Sequence, residues 1–387
     1  MNPDLRCVDT MHQRQKRQRS DSPAPSADST SDSTKPEIPP ATAKTTAAAP
    51  AAAAATHAAS ETAATQTQDL PRLPEDAYSK LGYAGARDPY KCQCESEIFD
   101  SIAEYKHDPD KWKEAMQGFE HWWSAQQTLL LLIASQTAKF CARSTELVDN
   151  ALSFPYGWDE IDRLSHQKPN NVQRGKEPLV TVKKEDALKR AYVAAENEGL
   201  VVGVLRCTKE YQCDEYMKQQ IGDRNQDGEM FRRTDLRRFV LDGRGWKAPI
   251  GKKSCHVHMN MSIFRDTEDA GYAFCTPRKV HTIASAALYQ PAVFKGKYDN
   301  MEDKALMQSK LLMILAAADK MGIEHLVLTA FGCGGRCKNP PRVVAEMMLI
   351  AIKTYPTIPT IEICVLDDDE GSNFDAFKDV FDNATWD

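Results

Sequence analysis

The sequence has no long hydrophobic run and no apolar leader, and these absences exclude two broad classes of protein. The longest apolar segment, residues 129–134, is far shorter than the ~18–20 residues that a membrane-spanning helix needs. The first residues are charged and polar where a secretion signal would have an apolar core. We therefore expect no membrane partner, and a location in the cytoplasm, the nucleus or both.

The chain also lacks an excess of basic charge and a regular cysteine pattern. Its 49 Lys and Arg residues are outnumbered by 55 Asp and Glu residues, which gives a formal net charge of −6. This balance argues against a broadly basic surface, so nucleic acid is not an expected partner. The 11 cysteines follow no disulfide framework, and without a secretion signal we expect reduced thiols.

Large apolar side chains are almost absent from residues 1–70, which are rich in Ser, Thr, Pro and Ala. Such a segment cannot bury enough apolar surface to offset the entropy of ordering, so we predict a disordered tail. The tail contains a cluster of basic residues: Arg14, Lys16, Arg17 and Arg19. This cluster is either a nuclear-import signal or a solvated run of charge.

Composition changes at about residue 71, and residues 71–150 are predicted to form a helical N-terminal extension. Within this extension, residues 97–149 place large apolar side chains at helical spacing. The remaining part of the chain, residues 151–387, shows a different pattern and is predicted to be a separate α/β domain.

In residues 151–387 a predicted loop at 154–176 is followed by alternating strands and helices. The predicted strands are 179–182, 200–205, 255–263, 279–287, 325–330 and 361–366, and the predicted helices are 184–196, 228–239, 301–321, 341–354 and 373–381. This alternation is typical of a mostly parallel sheet with helices on both faces. In such sheets, ligands bind outside the carboxyl ends of the strands.

A glycine-rich segment follows the predicted strand at 325–330. Gly332, Gly334 and Gly335 permit a sharp turn and the close approach of another group. Asn339 is predicted to cap the next helix, with Pro340 in the first turn of that helix. This arrangement can bind phosphate, because free N–H groups and the helix dipole converge there. A tight strand–helix connection without a ligand is the alternative.

Three other clusters have two interpretations each. His256 and His258 lie on one face of a predicted strand, as in a metal site, but without a third ligand an exposed polar face is favoured. Cys333 and Cys337 are either reactive thiols near a helix N-terminus or structural residues. A predicted helix has a basic face, either solvated or bound to an anionic partner. The basic residues of that face are Arg232, Arg233, Arg237 and Arg238.

Four stretches, taken in this order, resemble the microbial-type poly(ADP-ribose) glycohydrolase family over about residues 140–387. They are VTVKKEDALKRAYVAAENEGLVVGVL (180–205), EMFRRTDL (229–236), SIFRD with TIASAAL (262–288) and HLVLTAFGCGGRCKNPPRVVAE (325–346). The last stretch is the most specific. The resemblance implies a macrodomain-like, three-layer α/β/α fold with a mixed, mostly parallel sheet. It also implies that the partner is ADP-ribose or an ADP-ribosylated protein, and no cofactor or metal is expected.

The resemblance and the charges of two arginines together predict which residues contact the ligand. Most of them lie in the glycine-rich segment, and the others lie near residues 206 and 226. The set is Phe331, Gly332, Cys333, Gly334, Gly335, Arg336, Asn339, Gln226, Gly222 and Arg206. Arg206 and Arg336 are expected to pair with phosphate oxygens.

The sequence departs from the family at the positions that carry the chemistry. Members have a Gly-Gly-Gly loop and then Gln-Glu-Glu, whose second Glu protonates the departing ribosyl oxygen. Residues 213–218 contain no glycine triplet, and Gln226, Asp227 and Gly228 align with Gln-Glu-Glu. Gly228 cannot donate a proton. Asp227 and Glu229 flank Gly228 and are the candidate substitute acids.

Three functional hypotheses follow from the sequence. The first is a catalytically impaired macrodomain that still binds ADP-ribose or a related nucleotide. The second is an active poly- or mono-ADP-ribosyl glycohydrolase that uses Asp227 or Glu229 as its acid. The third is a protein-interaction scaffold with a vestigial site.

Overall fold

The computed structural model describes residues 107–119, 123–144, 152–157, 177–197, 199–208, 223–240, 250–366 and 372–386. The predicted tail with its basic cluster lies outside these residues, and so do Gly222 and residues 213–218.

The described residues form helices and strands that alternate along most of the chain. The helices are α1 (Pro109–Gly118), α2 (Trp123–Arg143), α3 (Ala187–Ala194), α4 (Gln226–Arg233), α5 (Leu236–Val240), α6 (Met301–Lys320), α7 (Pro341–Thr354) and α8 (Asn373–Asp382). The strands are β1 (Leu152–Gly157), β2 (Leu179–Lys183), β3 (Val202–Thr208), β4 (Ser254–Arg265), β5 (Phe274–Ala286), β6 (Val293–Phe294), β7 (Lys297–Tyr298), β8 (His325–Thr329) and β9 (Thr360–Cys364).

Seven strands form one mixed sheet in the order β1-β4-β5-β3-β8-β9-β2. The pairs β1/β4 and β4/β5 are antiparallel, whereas β5, β3, β8, β9 and β2 run parallel to one another. Apolar side chains of α6, α7 and α8 cover one face of the sheet, and those of α2, α3, α4 and α5 cover the other. The predicted three-layer α/β/α architecture with a mostly parallel sheet is therefore confirmed.

The central strand β8 shows why the sequence folds in this way. Leu326, Val327 and Leu328 are fully buried, because helices pack on both faces of the sheet at this point. Asn300 caps α6 by accepting a hydrogen bond from the N–H of Glu302, and Gly322 ends this helix with a φ of +66°. The predicted start of this helix at residue 301 is confirmed, and the helix ends one residue before the predicted end at residue 321.

Residues 152–157 form an edge strand, although most of them were predicted to be loop. Pro155 is paired with His256 in the antiparallel register of β1 and β4. Proline is tolerated on an edge strand, because one side of such a strand needs no ladder hydrogen bonds. The prediction of loop at this point was wrong because it treated Pro155 and Gly157 only as turn residues.

The helix predicted at 228–239 is two helices, α4 and α5, with a break at Thr234. The backbone of Thr234 forms an isolated bridge with Ile263 of β4, and its hydroxyl accepts a hydrogen bond from the N–H of Leu236. Arg232 and Arg233 are buried on α4, so these two residues do not belong to a solvated basic face, which was one of the two interpretations.

Three polar residues of β4, His256, His258 and Ser262, are also buried, contrary to the interpretation of an exposed polar face. His256 and His258 are 2% and 0% exposed, and the ring of Phe239 on α5 lies 5.2 Å from the ring of His258. The alternation of polar and apolar residues correctly indicated two faces. It gave no information about the helices that cover the polar face.

Candidate functional site

The candidate site lies at the carboxyl ends of three neighbouring parallel strands, β5, β3 and β8. The segment after β8 is the glycine loop, defined here as residues 331–339. Helix α4 begins near the end of β3, and its side chains contact that strand. This placement agrees with the expectation that ligands of parallel sheets bind beyond the strand ends.

Hydrogen bonds within the glycine loop make it compact. The N–H of Cys333 donates to the carbonyl of Ala330 over 3.0 Å, and the N–H of Asn339 donates to the carbonyl of Gly332 over 3.1 Å. Residues 334–336 form the exposed tip. Within the described ranges, no hydrogen bond to protein engages the N–H groups of these three residues. The tip can therefore offer backbone donors to an anion.

Two glycines of the loop have different roles. Gly332 has a φ of +72°, and a Cβ at this position would lie 2.5 Å from the Cβ of Ala287 and 2.8 Å from Nδ2 of Asn339. A Cβ at Gly334 would meet no atom within 4 Å. The fold therefore requires glycine at position 332. Packing within the protein gives no reason for glycine at position 334.

Asn339 stabilises the loop from inside and does not cap α7. Its amide donates to the carbonyls of Leu288 and Gly332 over 2.8 and 2.9 Å, and its side-chain oxygen accepts from the hydroxyl of Tyr298 over 2.9 Å. The N-cap of α7 is Pro340. The predicted cap was wrong because the Asn339 side chain bonds to Leu288, Gly332 and Tyr298 and not to the first N–H groups of α7.

Phe331 and Cys333 are buried beneath the loop and pack in the main apolar core. Burial raises the pKa of the Cys333 thiol well above its ordinary value. Burial likewise raises the pKa of Cys207 to about 12, although backbone N–H groups of Gly332 and Ala287 partly offset this effect. Thiols with raised pKa values are poor nucleophiles at neutral pH, so the structural interpretation of Cys333 is favoured over a reactive thiol.

Arg206 and Asp227 form a buried ion pair. Nε of Arg206 lies 2.5 Å from Oδ1 of Asp227, and the hydroxyl of Thr208 donates to Oδ2 of the same carboxylate over 3.1 Å. Arg206 is fully buried, and its guanidinium carbon lies 5.7 Å from the centre of the Phe231 ring. The positive charge expected to pair with a phosphate is therefore neutralised by a carboxylate on α4.

Glu229 belongs to a second buried network. Its Oε1 accepts hydrogen bonds from the hydroxyl of Tyr272 over 2.6 Å and from Nη2 of Arg232 over 2.8 Å. Burial would raise the pKa of Glu229, but the charges of Arg232 and Arg233 and these hydrogen bonds lower it below the ordinary value. Glu229 is therefore ionised at neutral pH and has no proton to donate.

The side chain of Gln226 is hydrogen-bonded to the backbone of β3. Its Oε1 accepts from the N–H of Cys207 over 3.0 Å, and its Nε2 donates to the carbonyl of Leu205 over 2.6 Å. The pairing of β3 with β8 ends at Val204, so the amide of Gln226 continues the hydrogen bonding of β3 beyond that point. Gln226, expected to contact the ligand, therefore fixes the start of α4.

Arg336 connects the tip of the glycine loop to the segment before α4. Its guanidinium forms an ion pair with Oδ2 of Asp223, and Oδ1 of Asp223 accepts from the amide of Gln127 on α2 over 3.3 Å. The Arg336 side chain is half exposed, whereas that of Asp223 is buried. Arg336 therefore remains close to the site and accessible to solvent.

Sequence reasoning missed three residues that support the site: Asp223, Tyr272 and Tyr298. Tyr272 adopts a positive φ of 54°, and its carbonyl accepts a hydrogen bond from Arg265 over 2.7 Å. Tyr298 belongs to a short hairpin, β6–β7, that the strand pattern was too short to reveal. The Lys295-Gly296 turn between two aromatic residues was the one available signal.

Within the described ranges no three His, Cys, Asp or Glu side chains are grouped as ligands for a metal ion, and this holds around His256 and His258. None of the described helices is both long and apolar enough to cross a bilayer.

Solved structures with the same fold include poly(ADP-ribose) glycohydrolase from Thermomonospora curvata. It is 19% identical to this chain with a TM-score of 0.52, and the match covers 65% of this chain and 98% of the bacterial one. The same enzyme bound to the inhibitor ADP-HPD has a TM-score of 0.50 at 19% identity, with the same coverage. No protein-family model and no curated protein matches the chain. The resemblance to this family is thus confirmed in the fold.

Proposed function

We propose that this protein recognises ADP-ribose, or a closely related nucleotide, at the glycine loop without hydrolysing it efficiently. The observation that carries the proposal is the contrast between the two halves of the site. The tip at 334–336 has exposed backbone donors, whereas Asp227 and Glu229 are both held in buried ion pairs. The groups proposed to bind the ligand are therefore available in this chain, whereas the candidate proton donors are engaged in ion pairs.

The binding half of the proposal rests on the geometry of the glycine loop. An ADP-ribose diphosphate is an anion, and N–H groups at a strand–helix turn are good donors to such a group. Gly334 has open space where a Cβ would be, which allows close approach of a ligand. Arg336 lies at the same tip, and a phosphate could compete with Asp223 for its guanidinium.

The impaired chemistry follows from the surroundings of the two carboxylates. A general acid must be protonated before the reaction and must reach the leaving oxygen. The lowered pKa of Glu229 keeps it ionised, and Asp227 accepts hydrogen bonds from Arg206 and Thr208. Gly228, which occupies the aligned position of the family acid, carries no titratable group.

The direct test is calorimetric titration of the purified chain with ADP-ribose, together with an assay for hydrolysis of poly(ADP-ribose) and of mono-ADP-ribosylated protein. We expect saturable binding and no ADP-ribose release above that of a buffer control. Turnover that disappears in folded Asp227→Asn or Glu229→Gln variants would support the active hydrolase instead. Absence of ADP-ribose binding would leave the scaffold hypothesis.

The Gly334→Ala variant tests whether the tip of the loop contacts the ligand. The added methyl group meets no protein atom within 4 Å, so we expect the free energy of unfolding to change by no more than about 0.5 kcal/mol. A phosphate seated on the tip would collide with the methyl group, and ADP-ribose affinity should then fall at least about tenfold by calorimetry.

The matched control is Gly118→Ala, at the end of α1, where a Cβ also meets no atom within 4 Å. This variant should bind ADP-ribose as the unaltered chain does. Equal affinities for Gly334→Ala and Gly118→Ala would mean that the ligand does not lie on the tip.

A further inference from the structure

One buried residue, Asp223, is bonded to three separate parts of the molecule. Its Oδ2 forms the ion pair with Arg336 at the tip of the glycine loop, and its Oδ1 accepts a hydrogen bond from the amide of Gln127 on α2 over 3.3 Å. The backbone carbonyl of Asp223 accepts a hydrogen bond from Nη2 of Arg232 on α4 over 2.9 Å. Two helices therefore hold Asp223 in place independently of the glycine loop.

The two members of the ion pair differ in their freedom to move. The side chain of Asp223 is 6% exposed, whereas that of Arg336 is 50% exposed and lies on the exposed tip at 334–336. Arginine has a long side chain with many rotamers, and no helix holds Arg336. If the pair separates, Arg336 is therefore the member that moves, and it moves towards solvent at the tip.

Asp223 occupies the guanidinium that an anionic ligand of the tip would use. In the described ranges, Asp223 supplies the one carboxylate that is paired with Arg336. A carboxylate and a phosphate are alternative partners for a guanidinium, because each presents two oxygens to its paired N–H donors. An anion that binds the tip through Arg336 must therefore replace Asp223.

This replacement has a cost that every such anion must offset. A buried carboxylate that loses its ion-pair partner is destabilised, because the surrounding protein solvates charge less well than water does. The amide of Gln127 and the positive charge of Arg232 remain beside Asp223 when Arg336 moves away, although Arg232 also pairs with Glu229. Separation of the pair therefore weakens ligand binding without leaving Asp223 isolated.

We propose that Asp223 is an internal competitor at the glycine loop, which occupies Arg336 until a phosphate of a bound nucleotide takes its place. The inference rests on the proposed function, and it adds a residue that sets the threshold for binding. Inorganic phosphate has only the tip to contact, so the competition keeps the tip clear of this abundant anion. A nucleotide also has a base and a sugar, and their contacts can offset the loss of the ion pair.

The test is calorimetric titration of the full chain and of an Asp223→Asn variant with ADP-ribose. Asparagine keeps an oxygen for the bond to Gln127 and removes the charge that holds Arg336. We expect ADP-ribose affinity to rise at least about fivefold, because the ligand no longer displaces a carboxylate. In an Arg336→Gln background the same substitution should change affinity by less than about twofold, because no guanidinium remains to be released.

Inorganic phosphate is the second probe. At millimolar concentration it should not alter ADP-ribose binding by the unaltered chain, but it should compete with ADP-ribose for Asp223→Asn. Sodium chloride at equal ionic strength corrects for screening. The matched control is Asp382→Asn, which removes an exposed ion pair with Lys378 on α8 and changes the net charge by the same amount. This control should bind ADP-ribose as the unaltered chain does, with or without phosphate.

Several results would overturn the inference. If Asp223→Asn is folded by urea denaturation and its ADP-ribose affinity is unchanged or lower, Asp223 does not compete for Arg336, and a lower affinity would mean that it orients Arg336 for the ligand. A gain that persisted in the Arg336→Gln background would show an effect of net charge alone. A gain without competition by phosphate would reject the exclusion of phosphate. Absence of ADP-ribose binding by the unaltered chain and by every variant would instead overturn the proposed function, so the two failures are distinguishable.

Discussion

At the scale of single residues, Gly332 occupies a position that no other residue can take without strain. Its φ of +72° disfavours L side chains, and a Cβ would lie 2.5 Å from that of Ala287. We expect Gly332→Ala to lower the free energy of unfolding by at least about 2 kcal/mol, as measured by urea denaturation. Gly334→Ala serves as the comparison in the same loop. If both variants had equal stability, the packing argument for Gly332 would be wrong.

The two candidate acids show what a sequence cannot reveal about single residues. The order Gln-Asp-Gly-Glu at 226–229 suggested that Asp227 or Glu229 could replace the missing acid. Their partners, Arg206 and Arg232, include one residue 21 positions away along the chain. The ion-pair partner of a carboxylate depends on the tertiary structure. The spacing of the motif therefore could not identify the partner of either acid.

At the scale of elements, the start of α4 is tied to β3 by one side chain. The amide of Gln226 bonds to both the N–H of Cys207 and the carbonyl of Leu205. Gln226→Glu keeps the shape but places a carboxylate oxygen against that carbonyl. We expect a loss of about 1–3 kcal/mol at neutral pH, with faster amide exchange throughout α4 in hydrogen-exchange mass spectrometry.

The control for this prediction is Gln117→Glu, an exposed position near the end of α1. Its free energy of unfolding should change by no more than about 0.5 kcal/mol, and exchange in α4 should not change. Unchanged exchange in the Gln226→Glu variant would show that other contacts hold the helix.

Long elements with clear end signals were predictable from the sequence. Helix α7 has the predicted bounds, and α6 ends one residue earlier than predicted. The elements that were missed depend on contacts distant in sequence: β1 exists because it pairs with β4, and the hairpin β6–β7 has only two residues in each strand. Local propensity carries little information about such pairings.

At the scale of the whole molecule, burial determines whether a polar residue can contact solvent or a ligand. The sequence order indicated the layers, the parallel sheet and the position of the glycine loop. It did not indicate that His256, His258 and Arg206 would be covered by helices. The contacting helices, α4 and α5, lie between β3 and β4 in the chain, but the strand pattern does not indicate the face of the sheet on which they pack, so the polarity of a strand face and its solvent exposure are separate questions.

A buried carboxylate also links four elements at the edge of the sheet and connects their stability to pH. Glu362 on β9 lies 2.6 Å from Nζ of Lys183 on β2 and 2.7 Å from Nε2 of His325 on β8, and it pairs with Arg190 of α3. Burial would raise the pKa of Glu362, but the hydrogen bonds from Arg190, Lys183 and His325 lower it from 4.5 to about 2. The folded state therefore favours the ionised carboxylate.

This shift predicts how global stability depends on pH. The pKa of Glu362 is lower in the folded than in the unfolded chain, so its contribution is complete above about pH 4.5 and is lost as the pH falls to about 2. Glu362→Gln should reduce the free energy of unfolding by roughly 2–3 kcal/mol at pH 7, and the difference should be about halved near pH 3. Urea titrations across this pH range measure the difference in free energy of unfolding.

The control is Glu346→Gln, which removes an exposed ion pair with Arg342 and should change the free energy of unfolding by at most about 0.5 kcal/mol. A Glu362→Gln deficit that stayed constant from pH 7 to pH 3 would contradict the role of the ionised carboxylate.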